Sequence, residues 1–179
     1  MRVNQRTVKL VHPDRVIPLG RLEEGLDLCA QNVRDFVLDA KNLLSNGHGY
    51  HAVALAIFAF EELGKYSELK RLGEESAKIG ASSLKVKDDL FRLHNYKQDI
   101  AKQLVPADTM ILIPRYFSDT YFSPKYFGTK EVMVEPNLRL ECVFVDWLNG
   151  DWRYGTPHEP ERLKKFLNAI IDALNKLTT

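Results

Sequence analysis

Apolar residues recur at alternating steps of four and three in the first long segment of the chain. The members of this stripe are Leu22, Leu26, Cys29, Val33, Phe36, Ala40 and Leu43. The spacing predicts a helix, which Asn46-Gly47 can end because glycine readily adopts the left-handed conformation of a helix C-terminus. Residues 50–72 are apolar on nearly all sides through Phe60, so they predict a second helix with neighbours on several faces.

Two further helices are predicted later in the chain, after a polar connection over residues 73–83. The third stripe, which ends before Pro106, consists of Val86, Leu90, Leu93, Ile100 and Leu104. Thr156-Pro157-His158-Glu159 has the spacing of a capping box with proline at the first helical position, which marks the start of the fourth helix. Its stripe consists of Leu163, Leu167, Ile170, Leu174 and Leu177.

The helical period is absent between the third and fourth helices. A Tyr-Phe pair recurs every five residues at Tyr116, Tyr121 and Tyr126, which fits neither helix nor strand, so residues 106–137 are predicted to form an irregular, aromatic-rich loop. Residues 139–154 predict a β-hairpin, with a strand over residues 140–145 and a turn at Asn149-Gly150. The predicted fold is therefore mainly α: a single domain over residues 1–179, built as a bundle of four main helices with a small hairpin between the third and fourth.

Composition restricts the class of protein. Of the 179 residues, 45% are hydrophobic, which is enough for one core, and a net charge of +1 gives no global field that would mark a nucleic-acid or membrane-surface protein. Cys29 and Cys142 are far apart, which argues against a zinc ribbon and fits two reduced thiols. The start has no signal-peptide core, and the longest uncharged apolar run, residues 52–60, is too short to span a bilayer. We therefore expect a cytoplasmic protein without a membrane partner.

Charged residues interrupt the apolar pattern of the second helix at Glu61, Glu62 and Lys65. A rotation of about 100° per residue places Glu62 on a stripe that we expect to face the core. The other members of that stripe are His51, Leu55, Phe58 and Leu69. A buried charge requires a partner, and the third helix offers His94 and Lys97 on its own stripe. Mid-helix glycine costs about 1 kcal/mol relative to alanine, so Gly64 indicates a close approach by another helix or backbone.

Packing of the second helix against the third brings these groups together, which makes them the candidate catalytic residues: Glu61, Glu62, Lys65, His94 and Lys97. Two interpretations remain open. In one, the cluster is a structural polar network that fixes helix register, with Glu61 and Lys65 as an ordinary i,i+4 pair. In the other, His94 is a general acid/base, and Lys97 or Lys65 stabilises charge on a scissile phosphate, as metal-free RNA cleavage requires.

Other motifs suggest RNA or metal binding less specifically. The Tyr-Phe repeat and its cations can stack on and neutralise single-stranded RNA, which makes Arg115, Tyr116, Tyr121, Lys125 and Tyr126 the candidate RNA-binding residues. The same aromatic residues can instead pack the loop onto its own bundle or onto a second subunit, so a homodimer is expected. His48 and His51 offer only two imidazoles, and the Glu-x-x-His motif of di-iron bundles is absent, so neither a metal nor a cofactor is predicted.

Three segments resemble the AbiV-type abortive-infection proteins, a branch of the HEPN superfamily of helical bundles. They are the second helix closing on EELGK, the His94-x-x-Lys97 pair in FRLHNYKQDIA, and the late strand pair in LECVFVDWLNGDWRYGTP. Together they span most of residues 22–177. The resemblance implies a role in defence against phage, through RNA metabolism or translation. The alternative is a non-catalytic dimeric module that binds a partner protein of phage or host, or a small ligand.

Many HEPN proteins are metal-independent ribonucleases that carry an arginine, four to six intervening residues and a histidine on one helix. This sequence departs from that pattern. Arg6 and His12 have the required spacing but precede the first helix in a segment that contains Pro13, and Arg92 lies too close to His94. The departure leaves it open whether the chain is an enzyme.

Overall fold

The structure, a computed structural model, describes residues 13–110 and 159–179 in full, and between them the backbone of residues 112–114, 131–133, 145–148 and 151–154. Helix α1 (Leu22–Ser45) ends at Asn46, and Gly47 has the positive φ of 81° expected of a helix C-terminus. Helix α2 (Gly49–Lys78) continues well beyond its predicted end. The polar connection predicted over residues 73–83 is therefore wrong for residues 73–78 and is confined to residues 79–82. Arg71 pairs with Glu68 and Glu75, which supports the additional turn of helix.

The segment predicted as one third helix is divided. Strand β2 (Ser83–Val86) is followed by helix α3 (Asp89–Arg92) and helix α4 (His94–Ala101). Leu93 is extended and separates the two helices, so the single helix of the prediction is wrong. Strand β2 pairs antiparallel with β1 (Arg15–Pro18), which the sequence pattern did not predict.

Short strands lie between α4 and the last helix. Strands β3 (Leu112–Pro114) and β4 (Glu131–Met133) pair antiparallel. The prediction of an irregular loop is therefore wrong for these two segments. Strands β5 (Val145–Leu148) and β6 (Asp151–Tyr154) flank Asn149-Gly150, which confirms the hairpin. Residues 140–144, part of the predicted first strand, lie outside the described residues.

Helix α5 (Pro160–Thr178) begins later than predicted, with Glu159 as its N-cap and no side-chain capping bond. The proline at the first helical position is thus Pro160 rather than Pro157, while Thr156 lies outside the described residues. Four leucine and isoleucine side chains of the predicted stripe are fully buried, and they are Leu163, Leu167, Ile170 and Leu174. These four residues place α5 against the core as the pattern indicated.

Helix α2 is the centre of the core and contacts α1, α4 and α5. Its buried residues surround the helix, and the ring of Phe60 lies 5.3 Å from that of Phe166 on α5. The prediction of a central second helix and of a mainly helical bundle is confirmed, with five helices in the described part of the chain. Among those residues, no helix combines the length and apolarity that a bilayer crossing requires.

Candidate functional site

The carboxylate of Glu61 is buried in the middle of α2, with 2% of the residue exposed. Its Oε2 lies 2.7 Å from Nδ1 of His94 and 3.7 Å from Nζ of Lys97, and its Oε1 accepts a hydrogen bond of 2.9 Å from Nε2 of Gln98. A buried carboxylate is costly unless it is paired and hydrogen-bonded. Residues of α4 supply both kinds of interaction: His94 and Lys97 contact Oε2, and Gln98 hydrogen-bonds Oε1.

The local structure of α4 presents these three side chains to α2. His94, Lys97 and Gln98 are spaced i, i+3 and i+4, which places them on one face of the helix. A Cβ atom on Gly64 would lie only 2.0 Å from the backbone oxygen of Lys97, so α4 crosses α2 closely at this glycine. The predicted reason for Gly64, a close helix approach, is confirmed.

His94 is held at one ring nitrogen while its side chain stays 36% exposed. An ionised carboxylate only accepts hydrogen bonds, so the geometry assigns the proton to Nδ1 and makes it the donor to Glu61. This tautomer leaves Nε2 as an acceptor, and the carboxylate also stabilises the ring when it gains a second proton. The arrangement is chemically suited to general acid/base catalysis.

Lys97 is almost completely enclosed, with 7% of its side chain exposed. Its ammonium group faces Glu61, and the contact is an ion pair between two buried side chains. Removal of one member of such a pair typically costs about 3 to 5 kcal/mol, because the other charge is left uncompensated. In this structure, Lys97 neutralises the carboxylate that holds His94.

Glu62 lies on the inward side of α2 but is less deeply buried than Glu61. The stripe through His51, Leu55 and Phe58 is half-buried rather than part of the core, and Glu61 takes the fully buried place. Glu62 instead forms an ion pair of 2.6 Å with Lys65, so the predicted i,i+4 pair of Glu61 with Lys65 is replaced by this i,i+3 pair. The Glu62 side chain is nevertheless only 13% exposed and one of its carboxylate oxygens is buried, so the prediction that it faces inward is confirmed, while Glu61 is the more deeply buried of the two.

Helix α1 adds a residue that the sequence pattern assigned only to the core. Burial raises the pKa of the Cys29 thiol from 9.0 to about 11, with a smaller lowering by Lys65 and a further raising by the neighbouring Glu62 carboxylate. Cys29 is therefore neutral at physiological pH. The sequence prediction also omitted Gln98 from the site, although its position one helical turn after His94 indicated that the two residues share a face of α4.

Several predicted functional residues cannot be placed relative to the site. The candidate RNA-binding residues Arg115, Tyr116, Tyr121, Lys125 and Tyr126 lie outside the described residues, as do Arg6 and His12. The rings of His48 and His51 are 6.3 Å apart at the start of α2. Within the described ranges, no group of three or more His, Cys, Asp or Glu residues is placed to hold a metal ion.

Comparison with known proteins gives one result. The family model described as AbiV, of the HEPN class, matches residues 21–161, a span that contains Glu61, His94, Lys97 and Gln98. Neither the curated proteins nor the solved structures yield a match. Because the family model covers well over half of the sequence, the chain belongs to the AbiV family of HEPN proteins.

Proposed function

We propose that this protein acts in abortive infection as a metal-independent ribonuclease, with His94 as its general acid/base. Membership of the AbiV family implies an abortive-infection function of the HEPN type. The observation that supports the chemistry is the 2.7 Å contact between Nδ1 of His94 and Oε2 of Glu61, made by a histidine that is still 36% exposed. A histidine kept only for packing has no need of an exposed ring.

The proposed reaction uses the nucleophile that RNA itself carries. Nε2 of His94 accepts the proton of a ribose 2′-hydroxyl, and the 2′-oxygen attacks the adjacent phosphorus. The bond from phosphorus to the 5′-oxygen breaks and water protonates that oxygen, so the products are a 2′,3′-cyclic phosphate and a 5′-hydroxyl. The hydroxide left from that water takes the proton from Nε2 of His94, which restores the neutral ring. Glu61 stabilises the imidazolium that forms, and Lys97 and Gln98 hold Glu61 in place.

The experiment is incubation of total cellular RNA with the purified protein in EDTA, with the fragments resolved on a gel. His94→Ala removes the proposed base, and His48→Ala is the matched control because His48 is exposed and lies outside the cluster. We expect cleavage by wild type and His48→Ala and intact RNA with His94→Ala. Intact RNA with all three proteins, or equal cleavage by all three, contradicts the proposal.

The second candidate is a non-catalytic module that dimerises or binds a partner protein. It is favoured by the exposure of Leu28 and Leu38, two large apolar side chains on α1. An interface of this kind depends weakly on salt, whereas RNA binding weakens steeply as salt rises because phosphate contacts release counterions. Association that is insensitive to salt and is lost in Leu28→Lys supports this candidate.

A further inference from the structure

His94 lies at an end of α4 that the helix itself does not secure. It is the first residue of α4, and its N-cap is Leu93, whose apolar side chain cannot cap a helix and is largely exposed. The N–H groups of a first helical turn have no partner within the helix, so helix ends fray. The position of His94 therefore depends on the segment that precedes it, which is α3.

The other two residues of α4 that contact Glu61 are held more firmly. The backbone of Lys97 packs against Gly64, and Gln98 is fully buried. A disturbance at the start of α4 should therefore displace His94 while α4 stays docked on α2.

Helix α3 is joined to His94 through the backbone. The N–H of Leu93 donates a hydrogen bond of 2.8 Å to the carbonyl oxygen of Asp89, and Leu93 is the residue before His94. Of the four residues that form α3, Asp89–Arg92, Leu90 is the buried one. A single buried side chain does not fix the rotation of so short a helix, so a second anchor is needed to hold α3 and the chain that follows it.

Asp88, the N-cap of α3, provides this second anchor. Its side chain is 9% exposed, and Nε of Arg15 on β1 donates a hydrogen bond of 2.7 Å to its Oδ1. A buried carboxylate requires a partner, so this contact differs from the weak, solvated ion pairs of protein surfaces. Arg92 also pairs with Asp88, but Arg92 belongs to α3. Of these two ion pairs, the one with Arg15 joins α3 to another element.

Arg15 is oriented for this contact by the sheet and by an aromatic ring. Arg15 lies directly opposite Val86 in the antiparallel pair of β1 and β2, so both residues are on the side of the sheet that buries Val86. Its guanidinium carbon lies 4.2 Å from the centroid of the Phe91 ring, within the range of a cation–π contact. Arg15 thus contacts the chain on both sides of Leu90, at Asp88 and at Phe91.

We propose that Arg15 is a positioning residue for His94. Through Asp88 and Phe91 it fixes α3, and α3 fixes the start of α4. The inference rests on the function proposed above, in which His94 is the base. Without the Arg15 contacts, we expect the His94 ring to leave Oε2 of Glu61 for part of the time, so that both neutral tautomers are populated.

The first test is nitrogen NMR of the His94 ring in alkaline buffer, with its resonances identified by their absence from His94→Ala. Wild type should show a ring protonated at Nδ1, and Arg15→Gln should show a mixture of the two neutral tautomers. Arg15→Lys keeps a cation beside Asp88 and should restore much of the wild-type spectrum. The matched control is Arg21→Gln, because Arg21 is exposed and pairs with Glu24 in its own turn. This control should leave the spectrum unchanged.

The second measurement separates positioning from contact with RNA. A fluorescent 2′-O-methyl RNA strand lacks the nucleophile and stays intact, so it measures binding alone. We expect Arg15→Gln to lower the cleavage rate of natural RNA about 10-fold, as the loss of a supporting contact typically does, with an unchanged Kd for 2′-O-methyl RNA. A raised Kd with unchanged His94 resonances would mean that Arg15 contacts RNA instead, which overturns the inference.

Two further outcomes overturn it: unchanged His94 resonances in Arg15→Gln, or equal changes in Arg15→Gln and Arg21→Gln. Thermal midpoints show whether each variant is folded. If Arg15→Gln unfolds, Asp88→Asn is measured in its place, since it keeps the size of the side chain but removes the charge that holds Arg15. A tautomer change in the variant without any RNA cleavage by wild type supports the positioning of His94 and contradicts only the proposed ribonuclease.

Discussion

The Nδ1 atom of His94 lies 2.7 Å from Oε2 of Glu61, which joins the first residue of α4 to the buried centre of α2. The contact links folding to chemistry, because the carboxylate that helps dock α4 also fixes the histidine tautomer. Gln98 donates a hydrogen bond to the other carboxylate oxygen of Glu61, and Lys97 compensates the negative charge.

Replacement of Lys97 should destabilise the protein strongly even when the new side chain has a similar volume. In Lys97→Met the buried Glu61 loses its cation, so we expect the free energy of unfolding to fall by about 3 kcal/mol. Urea denaturation measures this loss. Glu61→Gln/Lys97→Met should recover more than half of it, since no uncompensated charge remains, and a double variant as unstable as Lys97→Met would refute the ion-pair argument.

Gly64 should tolerate no side chain. In Gly64→Ala the new Cβ meets the Lys97 backbone oxygen at 2.0 Å, so α4 must move, and we expect a loss of about 2 kcal/mol in unfolding free energy. The control is Gly25→Ala in α1, where no atom lies within 4 Å, and there helix propensity should add about 0.5 kcal/mol. Equal stability of the two variants would show that α4 does not approach α2 at this residue.

Gln98 should act on catalysis by positioning rather than by contact with RNA, because it is fully buried. Gln98→Met keeps the volume but removes the donor to Oε1 of Glu61, which frees the carboxylate to rotate away from His94. We expect a fall of about 10-fold in the cleavage rate with an unchanged Kd for 2′-O-methyl RNA. An altered Kd with a normal cleavage rate would indicate a different role.

Cys29 gives the stability a defined pH dependence. The folded thiol has a pKa of about 11 against an ordinary 9.0, so its contribution is complete below pH 9 and is lost as pH rises towards 11. Relative to Cys29→Ala, wild type should lose roughly 2 kcal/mol of unfolding free energy between pH 8 and 10.5, at about 1.4 kcal/mol for each pH unit above 9. Urea titrations at pH 8 and 10.5 measure the difference in unfolding free energy between wild type and Cys29→Ala. A difference that is the same at both pH values would mean that the folded thiol is not shielded from solvent.

The sequence was sufficient for those elements whose pattern is local. The stripes of α1 and α5 have one apolar face each, so their buried sides were predicted correctly. The helix end at Gly47 and the pairing of the two hairpin strands, β5 and β6, were also predicted correctly. Helix α2 is buried on most sides, so periodicity could not decide between Glu61 and Glu62. Spatial proximity of α2 and α4 was nevertheless predictable from Gly64 and the paired charges.

The remaining differences come from long-range structure. Strand β2 pairs with β1 across some 70 residues, and no local pattern specifies that partner. Val86 and Leu90 fit a helical spacing, which hid the alternation of buried Leu84 and Val86 around exposed Lys85. The extended backbone at Leu93 likewise has no sequence signal, although it is what places His94 at the start of a new helix.

The central claim is that His94, held by Glu61, is the base in RNA cleavage. The most direct test is the single-turnover rate of cleavage of one defined RNA oligonucleotide in EDTA by wild type and His94→Ala, with product masses determined. We predict a 2′,3′-cyclic phosphate product and a rate lower by about 100-fold or more in the variant, the usual contribution of a general acid/base. Equal rates for the two proteins, or no cleavage by wild type, would contradict the claim.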